Sequence, residues 1–268
     1  MARNLRPTRP APRSAPRTAW GWAWAGALAG VLPAVVAFAP AHWLAGGVAR
    51  ATQGQVQLLQ PRGTVWTGSA QLVLTGGQAS KDSAALPGRV DWQLRPTWGG
   101  LRARLQAGCC TPEPLQAQVH LRWAGPQITL ADGQSQWPAA LLAGLGTPWN
   151  TLQPQGQLAL QTRALAVQWA AGRMVLSGQA QLDARAMSSR LSTLRPMGSY
   201  RLVLQGGEVP TLALSTLDGA LQLSGSGQWV GNRLRFAGEA SAAPEREAAL
   251  SNLLNIIGRR NGARSIIT

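Results

Sequence analysis

Apolar and polar residues alternate with a period of two over much of the chain after residue 55, a pattern typical of short β-strands. The clearest case is Leu115–Trp123, in which the odd-numbered residues are apolar and the even-numbered residues are polar. Gly76-Gly77, Pro96 and Gly99-Gly100 separate successive strands. The pattern therefore predicts a mainly β, largely antiparallel domain with one packed face and one solvated face.

Further strands are predicted at residues 55–59, 64–74, 89–95 and 101–107. The segment Asp132–Pro154 interrupts the alternation and contains a predicted short helix, Ala139–Leu142. We expect it to divide the β-region into two lobes, an N-terminal lobe at 51–133 and a C-terminal lobe at 155–268, joined by a linker at 134–154. The sheet is expected to be curved or partly open.

The C-terminal half repeats one short pattern, in which two apolar residues and a glycine alternate with other residues. The copies are Met174–Ala180, Leu221–Gly227 and Leu234–Ala240. Because the apolar residues and the glycine share one face, we expect the glycine to make room for a bend or for a large neighbour. The copies are unevenly spaced, which favours a meander of hairpins over a solenoid.

The pattern changes to a helical period near the C-terminus. Pro244 suits a first turn, and Leu250, Leu253, Leu254 and Ile257 form one apolar stripe. A helix this short is marginal in water by itself, so the stripe must pack on something. A partner subunit is the alternative to the chain's own sheet; we favour the sheet because the connection from the last strand is short. Gly258 is expected to end the helix.

The N-terminal segment has a different composition. Residues 1–18 form a basic arm that we expect to be disordered and cytoplasmic, and no charged residue lies between Arg17 and Arg50. The run Trp20–Ala39 is long enough to cross a bilayer, so residues 19–43 are predicted to be one transmembrane helix followed by a periplasmic domain. A signal peptide cleaved near Ala39 is the alternative; the length of the run favours an uncleaved anchor.

Charge and cysteine content narrow the choice of partners. Residues 51–268 contain 19 basic and 10 acidic residues, a net charge of +9, but the basic residues are scattered singly. This favours a solvated surface over nucleic-acid binding. Cys109 and Cys110 are adjacent and have no second pair, which argues against a four-ligand zinc site. In an oxidising compartment they form either a vicinal disulfide or two free thiols, and we interpret them as part of a turn.

The sequence offers few candidates for catalysis. His42 falls at the predicted membrane edge, and His120 falls on the polar face of its strand. Common hydrolase, metalloprotease and phosphate-binding motifs are missing from the sequence. We therefore expect no enzyme activity, no catalytic, cofactor-binding or metal-binding residues, and no cofactor.

Five tryptophans fall on the apolar side of the predicted strands. They are Trp66, Trp92, Trp123, Trp169 and Trp229. A β-core filled by aromatic rings is the favoured interpretation. The alternative is an incompletely closed sheet whose apolar face holds a lipid or a partner peptide.

Three stretches resemble the type II secretion system protein N family. They are Leu141–Pro154, Ser189–Leu202, which has Met197 where the family would have leucine, and Leu253–Ser265. Gly63–Gly68 and the cysteine pair fit the same family.

The resemblance implies an inner-membrane component of the general secretion pathway that exports folded proteins from the periplasm across the outer membrane. Other subunits of that machine would be its partners, and the family implies no active-site residues. We expect a non-enzymatic scaffold or adaptor, single-pass in the cell inner membrane. The alternative is a membrane-anchored periplasmic module that binds or transfers lipid.

Overall fold

The computed structural model describes residues 19–77, 80–122, 125–170, 173–231, 233–261 and 264–267. It divides into two compact units, Met1–Ala39 and Pro40–Thr268. The predicted arm at 1–18 lies outside the described residues.

The first unit contains one helix, α1 (Ala19–Ala37), with Pro33 inside it. The helix is shorter than the predicted 19–43, because Pro40 has no N–H to continue it and disfavours a helical conformation at Ala39. Trp43 belongs instead to a second helix, α2 (Ala41–Ala51), in the second unit. Within the part of the chain that the structure describes, no helix is long and apolar enough to cross a membrane.

The second unit is built on one antiparallel sheet of 16 strands, which confirms the predicted β class. The strands are β1 Val56–Gly63, β2 Thr67–Thr75, β3 Ser83–Ala85, β4 Val90–Thr97, β5 Gly100–Ala107, β6 Leu115–Arg122, β7 Gly125–Leu130, β8 Gly133–Pro138, β9 Gln155–Ala170, β10 Arg173–Ser188, β11 Gly198–Gln205, β12 Thr211–Gly219, β13 Leu221–Val230, β14 Arg233–Ala242, β15 Arg259–Asn261 and β16 Arg264–Ile267. Two 3-10 helices, Ala139–Leu145 and Pro244–Arg246, and two further α-helices, α3 (Trp149–Leu152) and α4 (Glu247–Ile257), are the other helices described in the unit. Below, "the 3-10 helix" means Ala139–Leu145.

The spatial order of the strands follows the sequence with few exceptions. The main path runs β1-β2-β4-β5-β6-β7-β9-β10-β11-β12-β13-β14-β16-β15, while β3 pairs with β2 and β8 pairs with β9. The segment predicted as a linker holds β8, the 3-10 helix and α3, and the sheet continues past it through the pairing of β7 with β9. The division into two lobes stays a prediction.

The repeated glycines do what their position predicts. Gly225 and Gly238 lie beneath the ring of Phe236, since a Cβ on either glycine would come within 2.5–2.9 Å of that ring. Gly178, with φ of +81°, faces a bulge at Ala164 on β9, where the pairing register shifts by one residue. Gly225 and Gly238 thus make room for a large neighbour, and Gly178 makes room for a bend.

The end of the chain differs from the prediction. The helix α4 is present, and Leu250, Leu253 and Leu254 are buried against the chain's own sheet, as expected. A hairpin that was not predicted, β15–β16, follows the helix, and β16 pairs with β14. The Ser265 hydroxyl is fully buried and donates a 2.8 Å hydrogen bond to the carbonyl of Leu254, so this hairpin holds the end of the helix.

Candidate functional site: an apolar sheet face and its cavity

One face of the sheet is apolar across many strands. In an antiparallel sheet, directly paired residues point to the same face. The pairing register therefore aligns Leu160, Leu182, Leu202 and Leu214 on four adjacent strands. A neighbouring row contains Ala180, Leu204, Leu212 and Phe236. The leucines of both rows are only partly buried.

The opposite face is polar. Its central row contains Asp183, Arg201, Ser215, Ser224 and Glu239. Asp183 is 3% exposed and receives two hydrogen bonds from the Arg201 guanidinium, at 2.8 and 2.9 Å. The face that meets water is thus stabilised by charged and hydroxyl side chains, while the other face offers apolar side chains alone over the rows described above.

The hydrogen bonds from Arg201 hold the pKa of the Asp183 carboxyl below its usual value, against the opposing effect of burial. The pair stabilises the fold fully above the unfolded-state pKa of about 3.9, and this stabilisation is lost as pH falls through the lower folded-state pKa. Replacing Asp183 with asparagine should therefore make the free energy of unfolding depend less on pH in the acid range. Urea midpoints between about pH 2 and pH 6 would measure this, with the exposed Asp218→Asn as control. If the stability of the variant fell with decreasing pH as steeply as that of the wild type, the Asp183–Arg201 pair would not be the source of this pH dependence.

Helices cover parts of the apolar face, and each covered part is a cluster of buried residues. Ala41 of α2 packs with Ala70 and Trp92, and Leu141 of the 3-10 helix packs with Val90. The three leucines of α4 pack with residues of β10–β14. Between these clusters, no described helix lies on the face, and its side chains are exposed to different degrees. Leu121, predicted to pack, is 74% exposed for this reason.

The tryptophans reflect this uneven cover. Trp92 is 2% exposed, as expected for a core residue, whereas Trp169 is 40% exposed, so the core assignment is wrong for Trp169. Trp66 and Trp229 are partly buried, and Trp123 lies outside the described residues. Burial depends on whether a helix lies above the ring, which the alternation of the strands does not reveal.

A cavity of about 270 Å³ lies on the apolar face beside α4. The atoms of its wall that face the cavity are apolar. The lining residues are Leu142, Trp149, Leu152, Pro154, Leu158, Leu182, Ala184, Met187, Ser188, Ser189, Met197, Tyr200, Leu202, Leu214, Leu221, Leu223, Leu253 and Ile257. Leu182, Leu202 and Leu214 also belong to the leucine row, so the cavity opens onto the remainder of the apolar face.

The three stretches that carry the family resemblance meet at this cavity. Each of them supplies lining residues: Leu152, Met197 and Leu253 are examples. Hydrogen bonds hold the stretches together. The Ser189 hydroxyl donates to the carbonyl of Leu152 at 2.7 Å, and the Ser192 hydroxyl donates to the carbonyl of Ala249, next to the third stretch, at 3.2 Å. The sequence alone identifies these stretches but not their meeting point, because they are far apart in the chain.

Tyr200 is the one aromatic phenol of the chain, and it lies in the cavity wall with 7% exposure. Its hydroxyl is buried beside Gly198 and has no hydrogen-bond partner among the described residues. Burial raises the pKa of this phenol above its ordinary range. An unpaired buried hydroxyl lowers stability, because it gives up its hydrogen bonds to water without replacement.

Replacing Tyr200 with phenylalanine should therefore raise the free energy of unfolding, by about 1–2 kcal/mol, since the ring stays and the unpaired hydroxyl goes. Chemical denaturation of the purified protein would measure the change. Tyr200→Leu is the matched control, because it removes the hydroxyl together with the ring's packing and should destabilise the protein. A loss of stability in the phenylalanine variant would mean that the hydroxyl has a partner.

The residues considered for chemistry are scattered. His42 is exposed on α2, and a ring nitrogen of His120 lies 3.2 Å from Oε1 of Gln118 on the same strand. Cys109 and Cys110 form a vicinal disulfide in the turn between β5 and β6, and Cys110 belongs to the buried cluster under the 3-10 helix. Among the described residues, no group of three or more histidine, cysteine or acidic side chains is placed to hold a metal ion.

These features define a class of protein: a broad antiparallel sheet with one polar and one apolar face, the apolar face closed locally by short helices. Residues 54–267 match the family model for type II secretion system (T2SS), protein N, and the chain belongs to this family. No curated protein and no solved structure matches the chain significantly. The family is a component of the type II secretion system, so the chain takes part in type II secretion.

Proposed function

We propose that this chain is a non-enzymatic scaffold or adaptor of the type II secretion system, anchored in the inner membrane by one N-terminal span. The family match carries the proposal, since it covers nearly all of the second unit, Pro40–Thr268, which we call the β-unit. The charge-free run between Arg17 and Arg50, preceded by five arginines, supports an anchor with its N-terminus in the cytoplasm. The β-unit is then periplasmic, where it contacts other secretion subunits and supports the export of folded proteins.

The anchor is tested by the side of the membrane on which the β-unit lies. A reporter enzyme that is active only in an oxidising compartment, fused after Thr268, should be active. The topology would be overturned if the only active fusion after Thr268 were one whose reporter works in the cytoplasm. Intact mass measurement of the mature chain separates an uncleaved anchor from a signal peptide cleaved near Ala39.

The scaffold role is tested by secretion itself. Deleting the gene should lower the amount of folded substrate outside the cell, and the full chain should restore it. A variant with residues 1–39 replaced by a cleavable signal peptide has the same β-unit without the anchor, and we expect it to restore secretion poorly. Cross-linking of the full chain in cells should capture other secretion subunits. Secretion unaffected by the deletion, or capture of no secretion subunit, would contradict the proposal.

A further inference from the structure

The β4–β5 hairpin ends in a tip that carries exposed apolar side chains. Strand pairing continues to the last pair, Thr97 with Gly100, so the turn has only two residues, Trp98 and Gly99. The Trp98 side chain is fully exposed. The N–H of Leu121, on the neighbouring strand β6, donates a 3.0 Å hydrogen bond to the Gly99 carbonyl, and the Leu121 side chain is exposed as well. The sheet thus holds two large apolar side chains in water at this tip.

Arginines lie directly behind the tip on the polar face of the sheet. Arg95 and Arg102 are paired across the hairpin, so they point to the same face, and Arg104 follows on that face. All three are exposed, and none of them makes an ion pair or a side-chain hydrogen bond with another described residue. Their partners Gln93 and Gln118 are neutral. Because like charges opposite each other destabilise paired strands, the positive charge here does not serve the fold.

The chain enters the β-unit at the same end of the sheet. Pro40, the first residue of the unit, forms a β-bridge with Thr64 in the turn before β2. Thr67, at the start of β2, is paired with Gln93, and β4 continues from there to Thr97. Four residues correspond to about 13 Å of strand. The tip therefore projects past the place where the chain enters.

The chemistry of the tip and its place in the fold select an occupant. Tryptophan favours the lipid–water interface, and arginine is attracted to anionic headgroups. The headgroup layer is roughly 5–7 Å thick on each side of the hydrocarbon core. Arg95 and Arg102 lie two residues behind the last strand pair, or about 7 Å, which matches this depth when Trp98 lies at the hydrocarbon boundary. An acidic protein would attract the same arginines, but the position beside the chain entry favours the bilayer.

From these observations we infer that the β4–β5 tip docks on an anionic bilayer surface, with Trp98 and Leu121 in the interface and Arg95 and Arg102 at the headgroups. The bilayer meets the end of the sheet, so side chains from both faces reach it. The inference rests on the proposed function, because the anchor before Pro40 brings the bilayer to this end. It adds an orientation, in which the strands of the β-unit stand on the membrane at the end that carries Trp98.

Quenching of a fluorescent amino acid by brominated phospholipid tests the contact. Acridonylalanine is placed at one position of the full chain, which is reconstituted into vesicles of phosphatidylcholine and phosphatidylglycerol without other proteins. Brominated lipid should quench the label in place of Trp98. Glu113 is the control position, because it is exposed in the turn at the other end of β5, about 26 Å away, and a label there should not be quenched. A label in place of Val31, in α1, reports on the anchor separately.

The three positions distinguish failure of the tip contact from failure of the anchor. Quenching at position 31 without quenching at 98 would overturn the inference, leave the tip to a partner protein and keep the anchor. Quenching at 98 without quenching at 31 would support the tip contact and contradict the anchor. Equal quenching at 98 and 113 would also overturn the inference, because the β-unit would then have no fixed end at the membrane.

The arginines are tested with the label at position 98. Arg95→Glu with Arg102→Glu should lower the ratio of quenched to unquenched emission by roughly fivefold for each arginine replaced. Arg259→Glu with Arg260→Glu makes the same change of charge on β15, at the opposite edge of the sheet, and should leave the quenching unchanged. If the two pairs of substitutions had equal effects, the arginines behind the tip would not bind the headgroups and the inference would be wrong.

Discussion

Replacing Leu254 with aspartate should destabilise the β-unit by about 3–5 kcal/mol. The side chain is 1% exposed within the cluster beneath α4, so the variant loses a buried leucine and places a carboxylate among apolar groups. A loss of this size is a large part of the stability of a typical domain. Denaturation of the purified full chain, followed by circular dichroism, would measure it.

The control for this prediction lies two residues away on the same helix. Ile256 is 47% exposed and lies outside the buried cluster. Ile256→Asp adds the same charge to the same helix as Leu254→Asp, so it should have only a small effect on stability. If Leu254→Asp left the melting temperature unchanged while secretion was lost, the apolar stripe of α4 would pack on a partner subunit. The packing described for α4 would then be wrong.

Replacing Trp92 with alanine should cost a similar amount, about 3–5 kcal/mol. The ring is 2% exposed between Ala41 of α2 and Ala70 of β2, and its indole N–H donates a 3.0 Å hydrogen bond to the carbonyl of Val65. The variant therefore loses a contact that holds α2 on the sheet. Besides a lower denaturation midpoint, faster hydrogen exchange in Ala41–Ala51 is expected.

Trp98→Ala serves as the control for Trp92→Ala. Trp98 lies at the turn after the same strand but is fully exposed, so its removal should leave the denaturation midpoint within about 0.5 kcal/mol of the wild type. If both variants were equally stable, Trp92 would not be a core residue. A large loss for Trp98 would show that this turn is covered in solution.

Much of the sheet follows from local pattern alone. Period-two alternation located β5 and β6 to within a residue, and the glycines of the repeated pattern predicted the room beneath Phe236. The stripe of Leu250, Leu253 and Leu254 predicted both the helix and its docking on the sheet. These features depend on residues that are close together in the sequence, so the sequence carries enough information to place them.

Other features needed information that local pattern does not contain. The hairpin after α4 was missed because Arg259 and Arg260 suit the end of a helix, although Asn261-Gly262 is a strong hairpin signal and could have revealed it. The cavity was missed because its wall combines Leu152, Met197 and Leu253, which are spread over about a hundred residues of the chain. Which parts of the apolar face lack a helix depends on where short helices pack, and alternation alone does not show this.

The order of the strands has a consequence for how the molecule comes together in time. Every pairing joins strands that are neighbours in the sequence or have a single strand between them. A chain that emerges N-terminus first can therefore add each new strand to a partner that is already in place, with short loop closures throughout. Assembly would finish when α4 packs on the sheet and β16 pairs with β14. Residues 247–261 and 264–267 would therefore close the sheet last, after its apolar face has been exposed to water since the first hairpins formed.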